Sequence, residues 1–297
     1  MTNVILVAGA SGNLGGKIVD ALLRKQVRVR ALVRKETDPK KINHLRRQGA
    51  EVLTIDLTNI PQLARACTEV RCVVSALSGL REVIIDGQTN LLDAAVQAGV
   101  PRFIPSDYCL DFTKLIPGTN RNLDLRREFH KRLEAAPIEA TTIFNGVFMD
   151  LLVTTMPLIL KRIRRILYWG DPKVTMDMTT IADVAEYTAD AAIDETTPRY
   201  LRIAGDRVNA IEVKKIMTEI TRKSFSLLRG GSIQRLNVII RVVRFLTGGE
   251  QTLYPAWQGM QYMRDMMEGR SIIEVHDNER YPVRWTSVDE FLLSHSG

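Results

Sequence analysis

The 297-residue chain is short of the residues that build disulfides, metal sites and membrane spans. It has three cysteines, Cys67, Cys72 and Cys109, and no pair at CxxC spacing. That excludes a thioredoxin-like motif and the usual structural zinc site, and a reducing, cytoplasmic setting is expected. The four histidines, His44, His130, His276 and His295, are scattered without ligand spacing, so no metal is expected. The longest uncharged apolar run, Leu151 to Leu160, is far too short for a span and contains Pro157. No basic leader precedes Val4, so export is not expected. The 41 Lys and Arg against 34 Asp and Glu give a net charge of +7, but the cations form no dense arm, and nucleic acid is not an expected partner.

What the chain does have is a concentration of glycine. Residues 7 to 16 read VAGASGNLGG, after the β-branched run Val4–Ala8 and before a helical pattern from Lys17 to Leu23. Each ordered glycine costs backbone entropy, so the backbone itself must be needed there. Gly9, Gly12 and Gly15 at GxxGxxG spacing allow a tight turn, close approach of main-chain amides to a pyrophosphate, and close packing of helix on sheet. With Ser11, Asn13 and Leu14, these residues are the expected diphosphate loop of a dinucleotide.

The strand–helix alternation continues. Strands are predicted at Val27–Val33, Glu51–Ile55, Cys72–Leu77, Arg102–Ile104 and Ala140–Phe144. Helices are predicted at Lys40–Gln48, Ile60–Cys67, Asp86–Ala98 and Leu123–Ala135. Such a rhythm predicts an α/β, Rossmann-type doubly wound parallel sheet. It then loosens: 146–170 and 206–275 read as helix-rich, with short strands at Arg199–Ala204 and Val283–Trp285. The expected organisation is a dinucleotide-binding domain over 1–145, to which 171–205 returns, and a smaller discontinuous substrate region over 146–170 and 206–297.

At the end of the second strand, where an NAD-selective site offers an acid, stand Arg34 and Lys35. Two cations suit a 2′-phosphate, and NADP(H) is the expected cofactor. Asp56-Leu57, after the third strand, either flanks the adenine or opens the next helix. The small residues after the fourth strand, including Ala76, Leu77 and Ser78, would let backbone lie beside the nicotinamide-side ribose.

These residues together resemble the NmrA-like and isoflavone-reductase-like branch of the atypical short-chain dehydrogenase/reductases. The resemblance is carried by GASGNLGG, Arg34-Lys35, Asp56-Leu57, Gln88 with Ala94-Ala95, the stretch from Arg102 to Tyr108, and Asn145-Gly146-Val147-Phe148. It implies a Rossmann domain binding NADPH, with Pro105, Ser106, Asp107, Asn145 and Phe148 added to the cofactor site. In the enzymatic members it implies hydride transfer to an aromatic or quinone-like substrate. The chain departs from the pattern at Asp107-Tyr108-Cys109, which stand where the family's Pro-Ser-Glu-Phe-Gly stretch has Glu-Phe-Gly, and in two further places. None of its seven tyrosines has Lys four residues later, and alignment places Arg126 where isoflavone-reductase-like enzymes carry a lysine. Arginine stays protonated and cannot serve as a general base, although it can bind a ribose or an enolate oxygen.

The catalytic candidates are therefore Arg126 and Tyr108, whose hydroxyl would face the nicotinamide from the end of the fifth strand. His130, one turn after Arg126, reads as a solvated helical histidine. The aromatic and Met residues of the second half read as core, except that Leu253–Trp257, after Gly248-Gly249, forms a candidate lid. The basic stretch Lys161–Arg165 reads as a solvated face, and no membrane partner is expected. A homodimer and a small aromatic, enone or quinone-like substrate are the expected partners of an NADPH-dependent reductase. The competing reading is an NADP(H)-sensing regulator without turnover.

Overall fold

The computed structural model describes residues 4–295. Its centre is a parallel sheet of β1 (Val4–Ala8), β2 (Arg28–Val33), β3 (Glu51–Thr54), β4 (Val70–Ser75), β5 (Arg102–Ile104) and β6 (Glu139–Ala140), in spatial order β3-β2-β1-β4-β5-β6. The crossovers are α1 (Asn13–Arg24), α2 (Pro39–Arg47), α3 (Ile60–Ala66), α4 (Gln88–Gln97), lengthened by a π-helical stretch at Glu82–Gly87, and α5 (Arg121–Ala135). β1 is buried on both faces, as a central parallel strand must be. Its alternating side chains divide between two cores: Ile5 and Val7 join Ile18 and Leu22 of α1, whereas Val4, Leu6 and Ala8 join Leu63, Leu91 and Phe129 of α3, α4 and α5.

Helix starts follow local chemistry. Asp38 accepts the amide of Lys40 before Pro39 opens α2, Asn59 caps α3, and Asn120 caps α5. At α1, by contrast, Gly12 supplies no capping side chain and the first-turn amides stay open.

Beyond β6 the chain continues as β7 (Thr142–Phe144), β8 (Val147–Phe148), β9 (Ile159–Leu160), β10 (Arg165–Trp169), β11 (Met176–Thr179), α6 (Ile181–Ile193), β12 (Tyr200–Arg202), β13 (Asp206–Val208), α7 (Ala210–Thr221), β14 (Ser226–Gly231), α8 (Ile233–Thr247), α9 (Ala256–Met267) and α10 (Val288–Ser294). β12 pairs in parallel with β7, and α6 packs against α1, where Val184, Tyr187 and Ala191 complete the first core. The remaining strands form two small sheets, β14-β10-β9 and β13-β11-β8, over a third core containing Phe144, Met149, Met178, Met217 and Met266.

Two sequence expectations are corrected here. Residues 146–170 are not helix-rich. They hold three short strands and 3-10 turns, because Pro157 blocks a helix and Ile166 to Trp169 suits a pleated, half-buried surface. Val283–Trp285 forms no strand; these residues run irregularly and rest, half-buried, on the core around α6.

Candidate active site

The strand order reverses between β1 and β4, so the crevice for a ligand opens at the carboxyl ends of these strands. Gly9 lies there at φ +80°, and a Cβ on it would come within 2.5 Å of the carbonyl oxygen of Ala76, just beyond β4. A Cβ on Gly15 would lie 2.2 Å from the carbonyl oxygen of Gly9, and one on Gly12 3.2 Å from the same atom. The three glycines thus let loop, strand and helix meet backbone to backbone. The uncapped amino end of α1, with Ser11, Gly12, Asn13 and Leu14 accessible or half-buried, faces the outcome of that packing: amides and a positive helix end with no protein anion to satisfy them.

Arg34 and Lys35 follow β2 fully exposed, and neither forms an ion pair among the described residues. A third cation joins them. Lys41 Nζ donates to the carbonyl of Ser11 at 3.3 Å, which sets it on the rim of the glycine loop. Sequence reasoning missed Lys41, although there was a signal: α2 opens with Pro39-Lys40-Lys41, placing cations at the helix end where acids are favoured. Asp56 is exposed and closes an Asx turn, accepting from the amide and hydroxyl of Thr58 at 2.9 and 2.8 Å. The amide hydrogen bond from Thr58 holds its carboxyl below the ordinary range. Leu57 packs against Gly87, and Phe148 is half-buried on the same core edge as Leu14 and Ala76.

Hydrogen bonds then carry the site from β4 to α5. Ser106 Oγ donates to the carbonyl of Leu77 at 2.6 Å, and its amide donates to Gln88 Oε1 at 3.0 Å. Its carbonyl accepts from Arg126 Nε at 3.1 Å. Ser106, expected to touch the cofactor, has its polar groups committed to joining the strand ends, between the exposed Ser78 and the buried Pro105. Arg126 also donates to the carbonyl of Asn122 at 2.9 Å and has no carboxylate partner within salt-bridge distance among the described residues. Burial works against its charge, but its surroundings on balance favour the charged form, and the guanidinium stays protonated. Burial pushes the Cys109 thiol up to about 12, so it supplies no nucleophile at neutral pH. Asn145 adds an unusual feature: it is fully buried, and neither its side-chain oxygen nor its nitrogen has a partner. A buried amide left so calls for a ligand or water.

Three expectations change. The Tyr108 side chain turns into the core shared by α1 and α6, beside Thr188 and Cys72, where burial raises its pKa far above the ordinary value. It cannot face a nicotinamide. The Asp107 carboxylate is fully buried and turned toward α5, where His130 Nε2 lies 2.5 Å away and Thr142 Oγ1 3.2 Å away. Asp107 therefore supports the site from within rather than lining it. His130, read as solvated, is buried in this network, and its other ring nitrogen lies 3.4 Å from Arg199. The expected lid is also altered. Trp257 is completely buried with its indole nitrogen donating to the carbonyl of Gly248, while Arg121 binds the carbonyls of Glu250, Thr252 and Leu253. No cluster of three or more metal-binding side chains occurs among the described residues.

Residues 1–292 match the model of the NmrA-like family. Pinoresinol reductase 2 of Arabidopsis thaliana is 28% identical over 236 residues, covering 74% of this chain and 74% of its own. Pinoresinol reductase 1 of the same plant is 26% identical over 310 residues, covering 97% and 95%. A solved structure described as AtPrR2 with NADP+ and (+)pinoresinol superposes with a TM-score of 0.83 at 24% identity, covering 99% of both chains, a likeness of fold.

Proposed function

The chain belongs to the NmrA-like family, and from that premise we propose that it is an NADPH-dependent reductase of a small aromatic, enone or quinone-like substrate. The observation that carries this reading is the continuous path from the glycine loop through Ala76, Leu77 and Ser106 to the guanidinium of Arg126. The residues fit the dinucleotide: a cradle that any Cβ on Gly9 or Gly15 would fill, an uncapped helix end, and an orphaned buried amide at Asn145. The relatives named as pinoresinol reductases, and the structural neighbour described with NADP+ and pinoresinol, support the cofactor and the aromatic class.

When bound, NADPH supplies a hydride at its nicotinamide ring. The glycine loop and α1 hold the diphosphate, while Arg34, Lys35 and Lys41 meet the 2′-phosphate. Arg126 would donate to a substrate oxygen that gains negative charge on reduction. Because arginine does not give up its proton, the closing proton would come from water.

The test is NADPH oxidation with a panel of quinones, enones and aromatic benzylic ethers. Turnover is expected with at least one acceptor, and Arg126→Ala is expected to lower kcat about 100-fold with NADPH affinity retained. The regulator reading is favoured by a specific feature: Asp107 and Tyr108, in the segment after β5, are both turned inward, away from the crevice. NADPH binding with no oxidation across the panel would decide for it.

A further inference from the structure

Helix α8 is apolar on two opposite sides. Its inner face buries Leu236 and Ile240 against Trp257. Its outer face carries Val238, Val242 and Phe245, which are 51%, 50% and 89% exposed, with Leu246 beside them at 73%. At 100° per residue, Val238, Val242 and Phe245 fall within one 60° sector, and Arg235 and Arg241 flank it on either side. Both arginines are exposed and neither has a carboxylate partner among the described residues. An outward stripe of this kind is not ordinary surface, because large exposed side chains normally occur singly.

Along the chain, the charge on either side of the stripe has one sign. Between Glu219 and Glu250 the chain contains no carboxylate, while it contains Arg222, Lys223, Arg229, Arg235, Arg241 and Arg244. Glu250, the acid at the far end, is already bound to Arg244 at 2.7 Å. Self-pairing of two copies through this face would bring arginine against arginine with no acid to separate them. A surface that is apolar in depth and anionic at its plane matches it instead.

We propose that α8 docks this protein on an anionic lipid bilayer, with Phe245, Val242, Val238 and Leu246 entering the headgroup–acyl boundary and Arg235 and Arg241 lying at the level of the lipid phosphates. This is the pattern of an interfacial helix, which lies in the plane of the membrane and does not span it. It accords with the absence of any helix, among the described residues, long and apolar enough to cross a membrane. It departs from the expectation of no membrane partner, which rested on the shortness of the apolar runs and on reading Lys161–Arg165 as a solvated face. The chain runs from α8 directly into the segment whose carbonyls Arg121, at the amino end of α5, holds.

The test is co-sedimentation of the full chain with sucrose-loaded vesicles of phosphatidylcholine alone, and of phosphatidylcholine with about one-third phosphatidylserine. Binding is expected on the anionic vesicles, at least about tenfold weaker on the neutral ones, and reduced by added salt. Phe245→Ser with Val242→Ser, and separately Arg235→Glu with Arg241→Glu, are each expected to reduce binding by at least about tenfold. Their thermal melts should match the wild type, because these side chains project from the surface. No binding, equal binding to both vesicles, or binding undiminished in either variant would overturn the proposal. A lipid-free dimer that Phe245→Ser with Val242→Ser dissolves would assign the face to a second copy and overturn it as well.

Discussion

Arg34 is the residue proposed to choose between the dinucleotides. It is exposed and forms no ion pair among the described residues, at the end of β2, with Lys35 next to it and Lys41 across the loop. Arg34→Asp is expected to weaken NADPH binding by about tenfold to a hundredfold and to leave NADH binding nearly unchanged, as fluorescence titration would show. Equal losses for both would remove Arg34 from the phosphate site. His130 works in the opposite way, as a buried partner. His130→Ala would strand the fully buried Asp107 carboxylate and is expected to cost about 3 kcal/mol or more, measured by denaturant unfolding. Retention of wild-type stability would show that water replaces the imidazole. The glycines were legible because close backbone approach has few other solutions, and Arg34 because β2 ends in a recognisable place. His130 was not legible. Its helical spacing is compatible with either face of α5, and only the turn of Asp107 away from the crevice shows which face is buried.

Elements meet through charged clamps that no periodicity reveals. The carboxyl end of α6 is tied to the segment at 280–281 by Asp194, which accepts from the amide of Thr196, from Arg280 and from the hydroxyl of Tyr281, each at 2.8 Å. Partial burial works against its charge, but the Thr196 amide and hydroxyl, with Arg280 and Tyr281, outweigh it and hold the carboxyl well below the ordinary range. A carboxylate depressed in the folded state contributes stability that is complete above its unfolded pKa of about 3.9 and is lost as pH falls through the folded value. Asp194→Asn is therefore expected to lower stability by about 1 kcal/mol at pH 7, kept small by solvent screening, with the difference narrowing in melts below about pH 4. A constant difference down to acid pH would contradict the clamp. At this scale the first half of the chain was readable, since buried parallel strands and amphipathic helices leave strong signals. Residues 146–170 were not, because the two-residue strands β8 and β9 carry too few side chains to show a period, and β8 and β10 find their partners in the distant β11 and β14.

The whole molecule joins a six-stranded Rossmann sheet to a smaller body whose core is rich in methionine. The sheet class followed from alternation alone, whereas the second body takes its form from tertiary pairing. What unites them is α5. Its amino end reaches the substrate-side segment through Arg121, its middle presents Arg126, and its far half holds the Asp107–His130 pair. The central claim is that this crevice takes a dinucleotide by its extra phosphate, and titration of the purified wild-type chain with NADPH and NADH under the same conditions tests it most directly. NADPH should bind at least about tenfold more tightly. Equal affinity for the two, or binding of neither, would contradict the account.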